Sequence, residues 1–282
     1  MKSLLLLAGL LSASFSLQAE DRVTCLEEYL RFVEAGMNDR IRNEIFPPTP
    51  NSENLCEAVV TNPTLDGLSS DVLSATEVST RAEATRRARL IEQICEARQH
   101  PEEAPVVAPI TIRKTDEFEV NAESVEYFLR RMHAHIDANP TSRVDITLSF
   151  NSGGGNLAVA RRFVEQLRRV GNNPLVTIRT ELRSGASCDS ACTLMFAGGE
   201  HRIAHRGTTF GFHKAKIKSR NGQSAATAQA ALEERSDFWV ETVTGQVTDD
   251  RTRSRVRNAI ENSEDFDQVS ASSLGGYVTE LR

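Results

Sequence analysis

Apolar and polar positions change rhythm near residue 105. Beyond it, short apolar runs alternate with segments of helical period. Residues 106–112, 144–150 and 174–180 read as strands, and 202–204 and 208–213 as shorter ones. Residues 122–136, 157–170 and 224–243 read as helices. In 157–170 the inward face is Leu157, Ala160, Phe163, Val164, Leu167 and Val170. Residues 191–197 are nearly all apolar and stop at Gly198-Gly199, which predicts a buried helix with a glycine C-cap. Strands and helices in alternation predict an α/β domain with a largely parallel sheet over 106–282.

Before residue 106 the pattern is different. Residues 25–35 carry Leu26, Leu30 and Val33 on one side of a helix, and 80–98 carry Leu90, Ile91, Ile94 and Cys95. Between them lies the turn-rich stretch Phe46-Pro47-Pro48-Thr49-Pro50-Asn51, and 100–109 reads as a linker. Residues 20–105 are therefore expected to be a helical appendage without catalytic pattern. Residues 1–19 have the form of a secretory signal peptide: Lys2, an apolar run from Leu4 to Leu11, then small residues up to Ala19. The run is short for a membrane span, and no later window approaches one. A periplasmic or secreted location is expected, with no membrane span in the mature chain.

Export changes how the cysteines read. The five are Cys25, Cys56, Cys95, Cys188 and Cys192. An oxidising compartment permits disulfides, and an odd count leaves one thiol over or paired between chains. A pair within the N-terminal three and a pair at Cys188 and Cys192 are expected, with connectivity open. No CxxC pair occurs, so no metal is expected.

Composition narrows the function classes. Hydrophobic residues at 39% and charged residues at 26% suit a chain with a real core. The formal charge of −6 becomes −7 when Lys2 leaves with the leader. That sign disfavours nucleic acid and anionic lipid as partners. The arginine pairs, such as Arg161-Arg162 and Arg168-Arg169, read as solvated helix faces.

Three pieces carry candidate chemistry. Phe150-Asn151-Ser152-Gly153-Gly154-Gly155 ends a strand, where glycines let the backbone approach a ligand and turn its N–H groups outward. Ser187-Cys188-Asp189-Ser190-Ala191-Cys192-Thr193 opens the buried helix. Ser190 is there either an N-cap or a nucleophile whose following N–H stabilises an oxyanion. Thr209-Phe210-Gly211-Phe212-His213 is an apolar strand that delivers a histidine at its end.

In combination, these pieces resemble the Clp protease proteolytic subunit and the wider ClpP/crotonase fold, over residues 106–282. Asn151-Ser152-Gly153-Gly154-Gly155 is similar to the family's Asn-Ser-Pro-Gly-Gly, with Gly153 in place of proline. Ser190-Ala191, Ala197-Gly198, Phe212-His213 and Thr244-Gly245-Gln246 match family positions, and Cys-x-Ser-Ala-Cys resembles a set of exported relatives. The resemblance implies a spiral of ββα units and a serine peptidase. Ser190 would be the nucleophile and His213 the base, with the N–H groups of Gly155 and Ala191 as oxyanion hole. It implies a carboxylate at Asp265, followed by an aromatic, or alternatively at Asp267, ahead of a helix start at Ser270-Ala271 and a strand at Gly276-Tyr277-Val278. It also implies a peptide or protein substrate, a homo-oligomer and no cofactor. The family's ATPase partner is cytoplasmic, so an exported chain is expected to work without it.

Three other readings compete. A crotonase-type acyl-CoA enzyme shares the sheet but leaves Ser190 and His213 unexplained. A Ser-Lys dyad has only Lys114, Lys214, Lys216 and Lys218 to draw on, none where that base belongs. A catalytically silent binding or assembly protein on the same fold is the non-enzymatic alternative.

Overall fold

The structure is a computed structural model that describes residues 81–114, 116–216 and 225–282. The expected signal peptide, the helix over 25–35 and the proline-rich turn lie outside the described residues. Contacts divide the chain into two units, 1–100 and 101–282. In the first, α1 (Arg81–Gln99) buries Ile94 and Cys95, and Cys95 is disulfide-bonded.

The second unit is an α/β domain. Its larger sheet has the order β1-β2-β3-β5-β8, with every pairing parallel. The strands are β1 (Ile110–Arg113), β2 (Val144–Phe150), β3 (Val176–Leu182), β5 (His201–Ala204) and β8 (Glu280–Leu281). A second sheet sets β4 (Ser187–Asp189) parallel to β6 (Thr209–Phe212), and β6 antiparallel to β7 (Asp267–Ser270). The helices are α2 (Ala122–Asp137), α3 (Leu157–Gly171), α4 (Ala191–Phe196), α5 (Ala225–Thr244) and α6 (Asp250–Asn262). Among the described residues, no helix is long and apolar enough to cross a membrane.

Local chemistry accounts for the helix starts. Asn121 accepts from the Ser124 N–H at 2.9 Å while Ser124 Oγ accepts from the Asn121 N–H at 3.1 Å, a reciprocal cap on α2. Asn156 Oδ1 accepts from the N–H groups of Ala158 and Val159 to start α3. The buried face of α3, with Leu157, Ala160, Phe163, Val164 and Leu167, has the expected period. Phe128, Phe150 and Phe163 meet edge to face in the core, each side chain contributing about 2–3 kcal/mol by burial.

Three expectations are corrected. The first strand covers only the end of 106–112, because Pro109 has no N–H to give a ladder; Val106 makes one isolated bridge and is exposed. The helix over 191–197 has no left-handed glycine cap: Ala197 closes it in right-handed geometry, and neither Gly198 nor Gly199 has positive φ. Gly199 serves for close approach instead. A Cβ there would lie 2.6 Å from Thr180 Oγ1 on β3. Gly276-Tyr277-Val278 forms the turn before β8, with Tyr277 fully buried, and the strand itself starts at Glu280.

Candidate active site

The three motif pieces are laid side by side by main-chain pairing. Ser152 donates its N–H to Ser187 O and accepts from the Asp189 N–H, both at 2.9 Å, so it acts as a one-residue strand beside β4. Asn151 Oδ1 accepts from the Ser187 N–H at 3.1 Å. Ser152 Oγ donates to Phe118 O and accepts from the Gly154 N–H. Asn151 and Ser152 thus hold the glycine turn against β4. On the other edge of β4, Asp189 is in register with Gly211, and the Ser190 N–H donates to Gly211 O at 2.7 Å.

Ser190 leaves β4 with φ 52° and ψ −126°, and it is the one non-glycine residue with positive φ among the described residues. Such a backbone costs about 1–3 kcal/mol and persists only where its surroundings enforce it. The enforcing contacts are visible. The Ser190 carbonyl accepts from the Thr193 N–H at 2.9 Å and from Thr193 Oγ1 at 2.7 Å. Thr193 Oγ1 in turn accepts from Trp239 Nε1, and Tyr277 Oη donates to Thr193 O. The Cys188–Cys192 disulfide closes the turn from both sides of Ser190, with both cysteines fully buried. A loop this short contributes only about 2 kcal/mol of unfolded-state entropy.

The Ser190 side chain makes no cap hydrogen bond to α4. Its Oγ instead lies 2.8 Å from His213 Nε2. His213 follows β6 directly, and its ring packs on Phe266 at 4.4 Å and faces Trp239 at 6.4 Å. Burial of the half-buried imidazole pushes its pKa below the usual histidine value. A main-chain hydrogen bond to Lys214 and the charges of Asp189 and Glu264 oppose that shift; Lys216 adds to it. The ring is therefore neutral at pH 7, the form a general base needs.

Gly154 and Gly155 are where the glycine turn requires glycine. Their φ values are 99° and 146°. A Cβ on Gly154 would lie 2.6 Å from Ser190 Cβ, and one on Gly155 would lie 2.5 Å from Val120 O. Val120 donates to Gly154 O and accepts from the Asn156 N–H, each at 2.7 Å, which leaves the Gly155 N–H directed away from Val120. Among the described residues no acceptor takes the N–H of Gly155 or of Ala191. The Ala191 N–H directly follows Ser190, and the Gly155 N–H belongs to the turn whose Gly154 packs against Ser190.

Asp265 and Asp267 are placed differently from Ser190 and His213. Neither carboxylate is hydrogen-bonded to the imidazole. The last ladder pair is Phe212 with Asp267; beyond it the Lys214 N–H donates to Ser263 O, so the regular register ends there. Phe266 is the residue of this segment whose ring packs on His213. Arg255 on α6 takes the Asp267 carboxylate in a two-pronged ion pair. Asp265 accepts from Ser263 Oγ through its backbone carbonyl at 2.8 Å. Nearby, Glu264 is paired with Lys216 at 3.2 Å.

Around the pair, Thr193, Phe266 and Tyr277 fall within or beside the quoted motifs without an assigned role there, and Trp239 on α5 carries no motif that marks it in the sequence. Among the described residues no cluster of three or more His, Cys, Asp or Glu side chains could hold a metal ion. The chain matches no protein-family model, and no curated protein matches it.

Proposed function

We propose that this protein is a serine hydrolase acting on peptide bonds, with Ser190 as nucleophile and His213 as general base. The observation that carries the reading is the 2.8 Å approach of Ser190 Oγ to His213 Nε2 from a residue held at positive φ. An ordinary N-cap serine has extended backbone and bonds to its own helix; Ser190 does neither. The parallel sheet with a glycine turn beside the nucleophile is compatible with a ClpP/crotonase-type spiral, and we assign the domain to that class on the motifs. The Cys188–Cys192 disulfide supports a periplasmic or secreted site of action, without an ATPase partner. A homo-oligomer is part of the same reading.

In the reaction, Oγ attacks the scissile carbonyl carbon as its proton passes to Nε2. The carbonyl oxygen takes up the negative charge between the N–H groups of Gly155 and Ala191. The tetrahedral intermediate collapses, the C–N bond breaks, and the imidazolium returns the proton to the leaving amine. Water, deprotonated by the same imidazole, then hydrolyses the ester on Ser190 and restores the enzyme.

A fluorophosphonate probe tests this. The folded, oxidised wild type is expected to be labelled at Ser190. Labelling is expected to vanish in Ser190→Ala and to fall by about 10³-fold or more in His213→Ala. One observation favours a catalytically silent binding protein instead: no carboxylate bonds to the imidazole among the described residues. Folded wild-type protein that resists the probe in both its oxidised and reduced forms would decide for that alternative.

A further inference from the structure

The imidazole needs a negative charge when it takes the proton, and neither aspartate before or in β7 bonds to it. We propose that Asp189, the residue before the nucleophile, supplies that charge to His213 through space. The inference rests on the hydrolase reading for its role in rate, though its placement stands independently.

Register and space carry the argument. Asp189 on β4 is paired with Gly211 on β6, and paired residues in neighbouring strands project on the same side. The carboxylate folds over Gly211: a Cβ there would collide with Asp189 Oδ1 and lie 2.8 Å from Asp189 Cγ. Gly211 has no positive φ, so its backbone does not require glycine; the room above it is what only glycine leaves. His213 lies two residues beyond Gly211, just past the end of β6, and by continued alternation projects on the same face. Gln268, in register with Gly211 from β7, donates Nε2 to Asp189 Oδ1 at 3.3 Å. This face therefore presents Asp189, Gln268, Phe266 and His213 together.

The other charges nearby are otherwise engaged. Asp267 is ion-paired with Arg255, and Glu264 with Lys216 through exposed side chains. Asp189 has no ion-pair partner among the described residues. Its field favours protonated His213, as does that of Glu264, whereas Lys216 and burial disfavour it. A serine nucleophile and its supporting carboxylate are thereby adjacent in the chain, and Ser190 and Asp189 are carried into place by one short strand.

The test is an NMR titration of the His213 ring in the full chain, with its signal assigned by loss in His213→Gln. Asp189→Asn keeps the bond to Gln268 and removes the charge. It is expected to move the His213 midpoint down by about 0.5–1 pH unit and to slow probe labelling of Ser190 about tenfold. Asp265→Asn and Asp267→Asn are expected to move the midpoint by less than about 0.2 unit. Asp189→Ser, with the same expectation, serves if the asparagine variant does not fold. An unchanged midpoint without Asp189, or a larger fall in either of the other variants, overturns the proposal. A midpoint that falls as expected in a protein that never labels leaves Asp189 in place and removes the hydrolase reading.

Discussion

Ser190 shows how one residue's conformation separates two chemistries. As a helix cap it would be extended and satisfied by α4; at positive φ its hydroxyl meets His213 at 2.8 Å. The base has a consequence in pH. Burial lowers the His213 pKa, so the neutral imidazole persists to lower pH than in an exposed histidine. Labelling of Ser190 is expected to rise with pH through a midpoint below about 6.5 and to be level from about pH 7 to 8. A midpoint above 6.5 in a rate–pH profile would mean that attraction outweighs burial at this ring.

At the scale of elements, legibility followed hydrophobic period. The helices over 122–136 and 157–170 were readable because each presents a repeated apolar face; with 224–243, which buries Trp239, Val240 and Val243 near its end, they lie within a residue of α2, α3 and α5. β4 was not readable, since Ser187-Cys188-Asp189 has no alternation and is a strand only through its neighbours Ser152 and β6. α6 was missed too: it buries only Val256, Ala259 and Ile260 in thirteen residues, too thin a stripe in an otherwise charged segment. Ser190 and His213 were legible through motif and strand ending. The carboxylates that the resemblance implies do not reach the imidazole: Asp267 is held by Arg255, and Asp265 precedes β7.

α2 carries its own prediction. Asp137 ends the helix, where a negative charge opposes the macrodipole, and its Oδ2 is buried without a hydrogen-bond partner. Burial raises its pKa to about 6. The folded state thus holds the proton more tightly than the unfolded chain, and stability is lost as pH rises from about 4 to about 6. Asp137→Asn is expected to gain about 1–2 kcal/mol at pH 7, discounted for partial exposure, and nothing resolvable at pH 4. Urea unfolding at the two pH values measures the difference. His133 on the same helix, with its pKa lowered to about 4 by burial, has the opposite sign but is common to both proteins and cancels.

For the whole molecule, the division at residue 100 places every site residue, both sheets and the aromatic core in 101–282. A fragment of residues 101–282 is expected to unfold in one cooperative transition and to keep probe labelling within about threefold of the full chain. Circular dichroism melts and labelling rates of the two proteins check this. A broad melt, or a fragment that stays inert while the full chain reacts, would show that the first hundred residues are needed to build the site.

The packing of Phe266 on His213 also bears on how such a site can change over generations. In a strand, each inserted or lost residue exchanges the two faces downstream or upstream of it. Loss of the single codon for Phe266, with β7 held in register by its pairing to β6, would put Asp265 in the place that Phe266 now holds against the imidazole. A change of electrostatic partner would then need no new acid, only a frame of one residue.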